Sequence, residues 1–216
     1  MKRKVTVIIA LFILTGTKIF AQLIGSPLTD VKGVDVKESD PEVQGTPYLF
    51  DDWMPGLVIT ETGKTYANLK LKYDTRSNQI IFLGNDDKPM NFAEPLNSFV
   101  INNMRFAKGF TPVDLQTSST FYEVLADGKV KLLKYFRKVV EERQSYGAPI
   151  EKKYKESQYY YIARDNQMIT VRPDKKTVLA ALPGHSDQLE AYIKDHHVNF
   201  KDDVSAAQLV TYYNTL

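Results

Sequence analysis

Residues 65–73, Thr-Tyr-Ala-Asn-Leu-Lys-Leu-Lys-Tyr, set the reading of the whole chain. Leu69, Leu71 and Tyr73 alternate with Asn68, Lys70 and Lys72, so one side of an extended segment is apolar and the other polar. That is the period of a half-buried strand. Upstream, 57–62 (LVITET) is a second apolar run, joined to the first by Gly63-Lys64. Downstream, 74–78 (DTRSN) turns the chain into 79–83 (QIIFL), and 85–88 (NDDK) turns it again. Strands at this spacing with short polar turns predict an antiparallel meander.

The pattern continues. Residues 99–101 and 104–106 are weaker strand candidates, and 121–125, Ala126-Asp127-Gly128 and 129–140 form the clearest hairpin. Asp-Gly tolerates the positive φ of a tight turn. In the return strand the alternation slips by one between Val130, Leu132 and Leu133, Tyr135, which a bulge or burial on both faces explains. A charged loop over 143–156 leads to a strand at 157–163, and Asp165-Asn166 turns it into 167–171. After Pro173 the period changes to that of helices. Residues 174–182 predict a short helix ended by Pro183-Gly184. Leu189, Tyr192, Ile193 and His196 then fall on one stripe, with Ser186 or Asp187 as the N-cap. A last helix starts near Asp202-Asp203 and places Leu209, Tyr213 and Leu216 on one face. Strands first and helices last give an α+β fold: an antiparallel β-meander sheet, flat or strongly curved, with two to three C-terminal helices packed on it.

The N-terminus reads as an address. Lys2-Arg3-Lys4 precedes the ten-residue apolar run 5–14, and small residues lead to Ala21, the order of a secretory signal peptide over 1–21. The run spans about half of the ~20 apolar residues that a bilayer crossing needs. Residues 22–46 contain Pro and Gly, scattered Val and Leu and no aromatic, and read as a flexible arm in which Val34 and Val36 have the makings of an edge strand. The domain is then 47–216, β-rich over 47–172 and helical over 173–216. The formal net charge of +2 rests on the leader: removing its four basic residues from 28 leaves 24 against 26 acidic ones, a net of −2. No bulk basic field for nucleic acid remains. The chain has no Cys, which removes thiol catalysis, zinc–thiolate sites and disulfides.

Motifs for chemistry are sparse. The three histidines are His185, His196 and His197, and adjacent residues on a helix point about 100° apart, so the pair does not converge on one ion. His196 continues an apolar stripe and reads as a half-buried packing residue. Gly184-His185-Ser186-Asp187-Gln188 lacks the second glycine of a nucleophile elbow, and Ser186 reads as a helix cap. Asp51-Asp52, Asp86-Asp87 and Asp202-Asp203 lack calcium-loop spacing and read as turns and caps. Lys129, Lys131, Lys134, Arg137 and Lys138, with Lys152, Lys153 and Lys155, read as a solvated strand edge and loop, or as a contact for anionic glycolipid or polysaccharide. Tyr159-Tyr160-Tyr161 puts rings on both faces of one strand, and with Trp53 these are the candidate binding residues, by way of an aromatic sheet face. No catalytic residue, metal ligand or cofactor is expected.

Residues 47–56 (PYLFDDWMPG), 63–66, 69–73 and the closing 209–216 (LVTYYNTL) give the chain a likeness: it resembles uncharacterised exported proteins common in Bacteroidota, over about 46–216. The resemblance implies export and a compact envelope-side domain, and carries over no functional residue. The expectation is therefore a periplasmic or secreted non-enzymatic protein, without a membrane span after signal cleavage, that binds an envelope protein, glycan or lipid through a sheet face. The alternative class is a small hydrolase using carboxylates.

Overall fold

The computed structural model describes residues 31–36, 42–147 and 149–216; the expected signal peptide over 1–21 and its cleavage site lie outside them. The strands are β1 (Gly33–Asp35), β2 (Val43–Gln44), β3 (Met54–Thr60), β4 (Thr65–Asp74), β5 (Gln79–Leu83), β6 (Pro89–Phe92), β7 (Leu96–Ile101), β8 (Met104–Ala107), β9 (Tyr122–Ala126), β10 (Lys131–Arg143), β11 (Glu151–Arg164) and β12 (Gln167–Val171). Helices α1 (Lys175–Ala181), α2 (Ser186–Asp195) and α3 (Asp203–Tyr213) follow. The fold is α+β, a mostly antiparallel sheet with three C-terminal helices. Its order is β1-β6-β5-β4-β3-β7-β8-β9-β10-β11-β12, with β2 paired in parallel to β11. The sheet is open.

Strand β4 behaves as its alternation requires, burying Leu69, Leu71 and Tyr73. Tyr66 is also buried, three residues before Leu69 rather than two. A bulge accounts for it: Gly56 pairs with Leu69 but Val58 with Tyr66, and Asn68 takes the left-handed conformation at φ 57°. Further register shifts occur between Ile59 and Thr60 and between Leu132 and Leu133. At the last of these, Leu132 and Leu133 are buried in different clusters, so both explanations of the slip in the sequence hold at once.

The connection from β6 to β7 forces the sheet to curl. These strands lie four places apart in the sheet, about 19 Å if it were flat. Only residues 93–95 join them, and from Phe92 to Leu96 the chain reaches at most about 15 Å. The curl shows in the contacts. Asn78, in the β4–β5 turn, donates to the Ser119 carbonyl at 2.9 Å and accepts from the Phe121 amide at 3.0 Å, just ahead of β9. The rolled interior is aromatic: Tyr73, Phe99, Phe106 and Phe121 pack edge-on or stacked with centroids 4.6–5.3 Å apart.

Over β9–β12 the helices do the covering. Val130, Leu132, Ile162 and Val171 meet Val178, Leu182, Leu189, Leu209 and Val210. Asp174 caps α1 by accepting from the Thr177 amide at 2.8 Å, and Asp202 caps α3 through the Ser205 amide at 2.9 Å. Three local expectations are corrected. The N-cap of α2 is His185, at φ 55° with its ring on Gln188, not Ser186 or Asp187. Leu216 lies past the end of α3 and is exposed, and Ala206 and Val210 complete the buried face instead. His196 is exposed, stacked on Tyr192 at 3.9 Å rather than half buried.

The stretch read as an arm holds two short strands among its described residues. Val34 lies in β1 and pairs with Asn91 of β6, and Val36 follows the strand's end. Residues 151–156, read as loop, are the first half of β11.

Candidate functional site

Strands β10 and β11 pair from Lys131–Ala163 out to Arg143–Glu151. Their neighbours are short: β9 reaches only Lys134, and β12 begins its pairing at Tyr160. Nine residues of each strand therefore extend beyond both flanks as a two-stranded ribbon, about 30 Å long at ~3.4 Å per residue. An isolated ribbon is marginal in water, so something must steady it. Along the β11 edge and on one face, residues 43–48 do so. Val43 and Gln44 pair with Lys152 and Lys153, Lys138 donates from Nζ to the Tyr48 carbonyl at 2.5 Å, and Tyr154 is buried beside Gly45 and Arg76. This inward turn of Lys138, and that of Lys134, corrects their reading as solvated edge charges.

The opposite face is bare beyond the root of the hairpin. There Tyr135 faces Tyr159 across the strands, ring centroids 6.2 Å apart, and Tyr159 is 37% exposed. Arg137, Val139, Lys155 and Lys153 continue the same face by the two-residue period. Burial raises the Tyr135 hydroxyl above its ordinary range while the Arg137 charge pulls it back, which places the guanidinium next to the ring pair. Lys155 and Arg143 both bind Glu141, at 2.9 Å each. Among the described residues no ion pair engages Arg137 or Lys153. This face offers an aromatic pair and uncommitted cations together.

The other predicted binding residues divide. Tyr161 shares the Tyr159 face but is fully buried at the hairpin root, against Tyr122 at 5.6 Å and beneath the segment holding Phe110 and Val113. Burial, with the nearby Asp114 carboxylate, pushes its hydroxyl up to about 12. The hydroxyls of Tyr122 and Tyr161 and the side-chain oxygen of Gln116 have no hydrogen-bond partner there. Tyr160 points to the helix side. It lies 5.4 Å from Lys134 Nζ, which donates to Asp203 at the start of α3 over 2.6 Å. Glu123 pairs with Lys134 across β9–β10, and burial lifts its carboxyl to about 7 against the pull of that lysine. Burial would lower the Lys134 ammonium, but the Asp203 hydrogen bond and charge carry it above its ordinary value. Trp53 lies elsewhere, beside Lys72, which also sits over Tyr48 at 4.9 Å. The three tyrosines and Trp53 therefore do not form one platform. Tyr135 and Arg137 were missed as partners of Tyr159; both stood in the sequence, but only the register aligns them.

No group of three or more His, Asp or Glu side chains suited to a metal ion occurs among the described residues. No helix among them is long and apolar enough to cross a membrane. Comparison with protein-family models, curated proteins and solved structures found no match to this chain.

Proposed function

We propose that this is an exported, envelope-side protein that binds an acidic cell-surface glycan on the bare face of its long hairpin. The observation that carries the reading is the ribbon itself: one face is covered by residues 44–48, and the other carries the exposed Tyr159 beside the partly buried Tyr135 and the partly exposed Arg137. Flat aromatic rings take the CH face of a sugar, and a guanidinium pairs with a carboxylate in a fork geometry that lysine lacks. Export rests on the basic, apolar, small order of residues 1–21. The hydrolase alternative would need two carboxyls free to act on a substrate. Asp203 is bonded to Lys134 at 2.6 Å, and Glu123, the strand partner of Lys134, is buried in the sheet, which supports a structural use for each.

Calorimetric titration of the mature protein with polygalacturonate, against neutral dextran, tests this. Binding to the acidic polymer alone is expected, with at least a ~10-fold loss in Tyr159→Ala and in Arg137→Ala. Equal heats for the two polymers, or variants that bind as the parent does, would overturn it. Sequencing the N-terminus of protein recovered from its native host tests export separately; a product still carrying Met1 sinks that part.

A further inference from the structure

The strand order ends on β1 at one side and on β12 at the other, and the two ends are finished differently. An edge strand leaves a row of unpaired N–H and C=O groups that another chain can use, and proteins blunt such edges by shortness, charge or cover. β1 is blunted: it has three residues, Gly33–Asp35, and ends on a carboxylate. The free flanks of the β10–β11 ribbon are dense in Lys, Arg and Glu. β12, Gln-Met-Ile-Thr-Val, has five residues with no charge, no proline and no break in its register against β11. The turn before it tells which groups face out. Asp165 and Asn166 are both left-handed, at φ 48° and 59°, a two-residue turn whose flanking residues Arg164 and Gln167 are hydrogen-bonded to each other. Counting on in twos, Gln167, Ile169 and Val171 turn their backbone to β11, and Met168 and Thr170 turn theirs outward. Among the described residues those outward groups meet no backbone partner, and Thr170 is exposed.

We propose that β12 pairs antiparallel with β12 of a second copy of this chain, in the register that sets Ile169 opposite Ile169 of the partner subunit. Met168 of each copy then exchanges both backbone hydrogen bonds with Thr170 of the partner subunit, and Gln167 faces Val171 of the partner subunit, so no like charges meet. At each end Arg172, which makes no ion pair among the described residues, comes to the turn that holds Asp165 of the partner subunit; the Asp165 side chain is 85% exposed. Antiparallel pairing stands the two-fold axis perpendicular to the sheet, so both hairpin faces look one way and both helical layers the other. The dimer uses none of the residues of the hairpin face and does not rest on the glycan reading.

Sedimentation velocity of the mature protein over a range of concentrations tests it. The parent should pass from monomer to dimer as concentration rises, and Thr170→Pro should stay monomeric. Proline is tolerated where the N–H of an edge strand faces out, so the melting temperature of this variant should stay near that of the monomeric parent. Thr170→Lys, at an exposed side chain, gives the same reading by charge alone. The register has its own test, because the chain has no Cys. Opposed residues of a non-hydrogen-bonded pair lie about 4.5 Å apart at Cα, within disulfide range. Ile169→Cys should therefore cross-link to a covalent dimer under an added oxidant, and Thr170→Cys, whose two copies sit two residues out of step, should not. A parent that stays monomeric at every concentration, a dimer that survives both Thr170→Pro and Thr170→Lys, or equal cross-linking by the two cysteine variants would each overturn the proposal.

Discussion

From β3 to β8 the sheet rolls and covers its own inner face, whereas from β9 to β12 three helices cover it. The difference is written in side-chain type. The rolled half closes around Tyr66, Tyr73, Phe82, Phe99, Phe106 and Phe121, while the helix-covered half packs Val130, Leu132, Ile162, Val178, Leu189, Leu209 and Val210. A sheet curled on itself has only its own side chains to fill the space, and long flat rings reach across it. A helix brings a second layer of side chains, so branched aliphatics suffice. Burial in one protein is thus achieved by reach in one region and by layering in the other.

The comparison breaks most readily in the rolled half. Phe106 contacts Tyr73, Phe99 and Phe136, and Phe106→Ala should cost ~3–5 kcal/mol, measured by denaturant unfolding. Leu209→Ala, on the buried face of α3, should cost ~2–5 kcal/mol. If the layered half tolerates loss better, Leu209→Ala falls at the lower end; a larger loss than for Phe106→Ala would show that the helices and not the curl dominate stability.

Where the halves meet, Glu123 gives a pH-dependent effect of intermediate size. Its folded-state carboxyl titrates near 7, above its ordinary 4.5, so the folded state holds the proton more tightly than the unfolded. The associated stability is complete below about 4.5 and is lost as pH rises through about 7. Glu123→Gln should therefore gain on the parent in going from pH 5 to pH 8, seen in paired melts; a variant that loses ground to the parent over that range would contradict the assignment. The smallest effect belongs to the bare hairpin face. Tyr159→Ala should change stability by no more than ~0.5 kcal/mol, since the ring is partly exposed, while changing binding. A large loss of stability there would make the face part of the core.

Much of the architecture was legible. Alternation marked β4, Asp-Gly marked the β9–β10 hairpin, and Asp174 and Asp202 marked the helix starts. Strand β6, Pro-Met-Asn-Phe, was not, because it has no β-branched residue and is held as a strand by its neighbours β5 and β1. Residues 151–156, nearly all charged, become strand because β10 lies opposite, a tertiary cause that local preference does not register. The curl needed the strand order, since only then is the β6–β7 connection too short for a flat sheet. At the site, alternation correctly divided Tyr159, Tyr160 and Tyr161 between two faces, but which face stays bare depends on where residues 44–48 cross.

The pairing of β3 with β7 also has a kinetic meaning. Most neighbouring strands in the sheet are neighbours in sequence and zip as hairpins, in microseconds. The β3–β7 ladder, from Gly56–Ile101 to Thr60–Leu96, is the one seam joining the first meander to the second, and it must wait for the intervening loop of chain to close. A side chain at Gly56 would meet the Val100 carbonyl oxygen at 2.3 Å, directly in that seam. Gly56→Ala should accordingly slow refolding in stopped-flow more than it speeds unfolding, and the reverse pattern would place the seam late. The two meanders are then made quickly and married slowly, so an interrupted chain would pass through a stage in which the first has formed but has nothing yet to roll against.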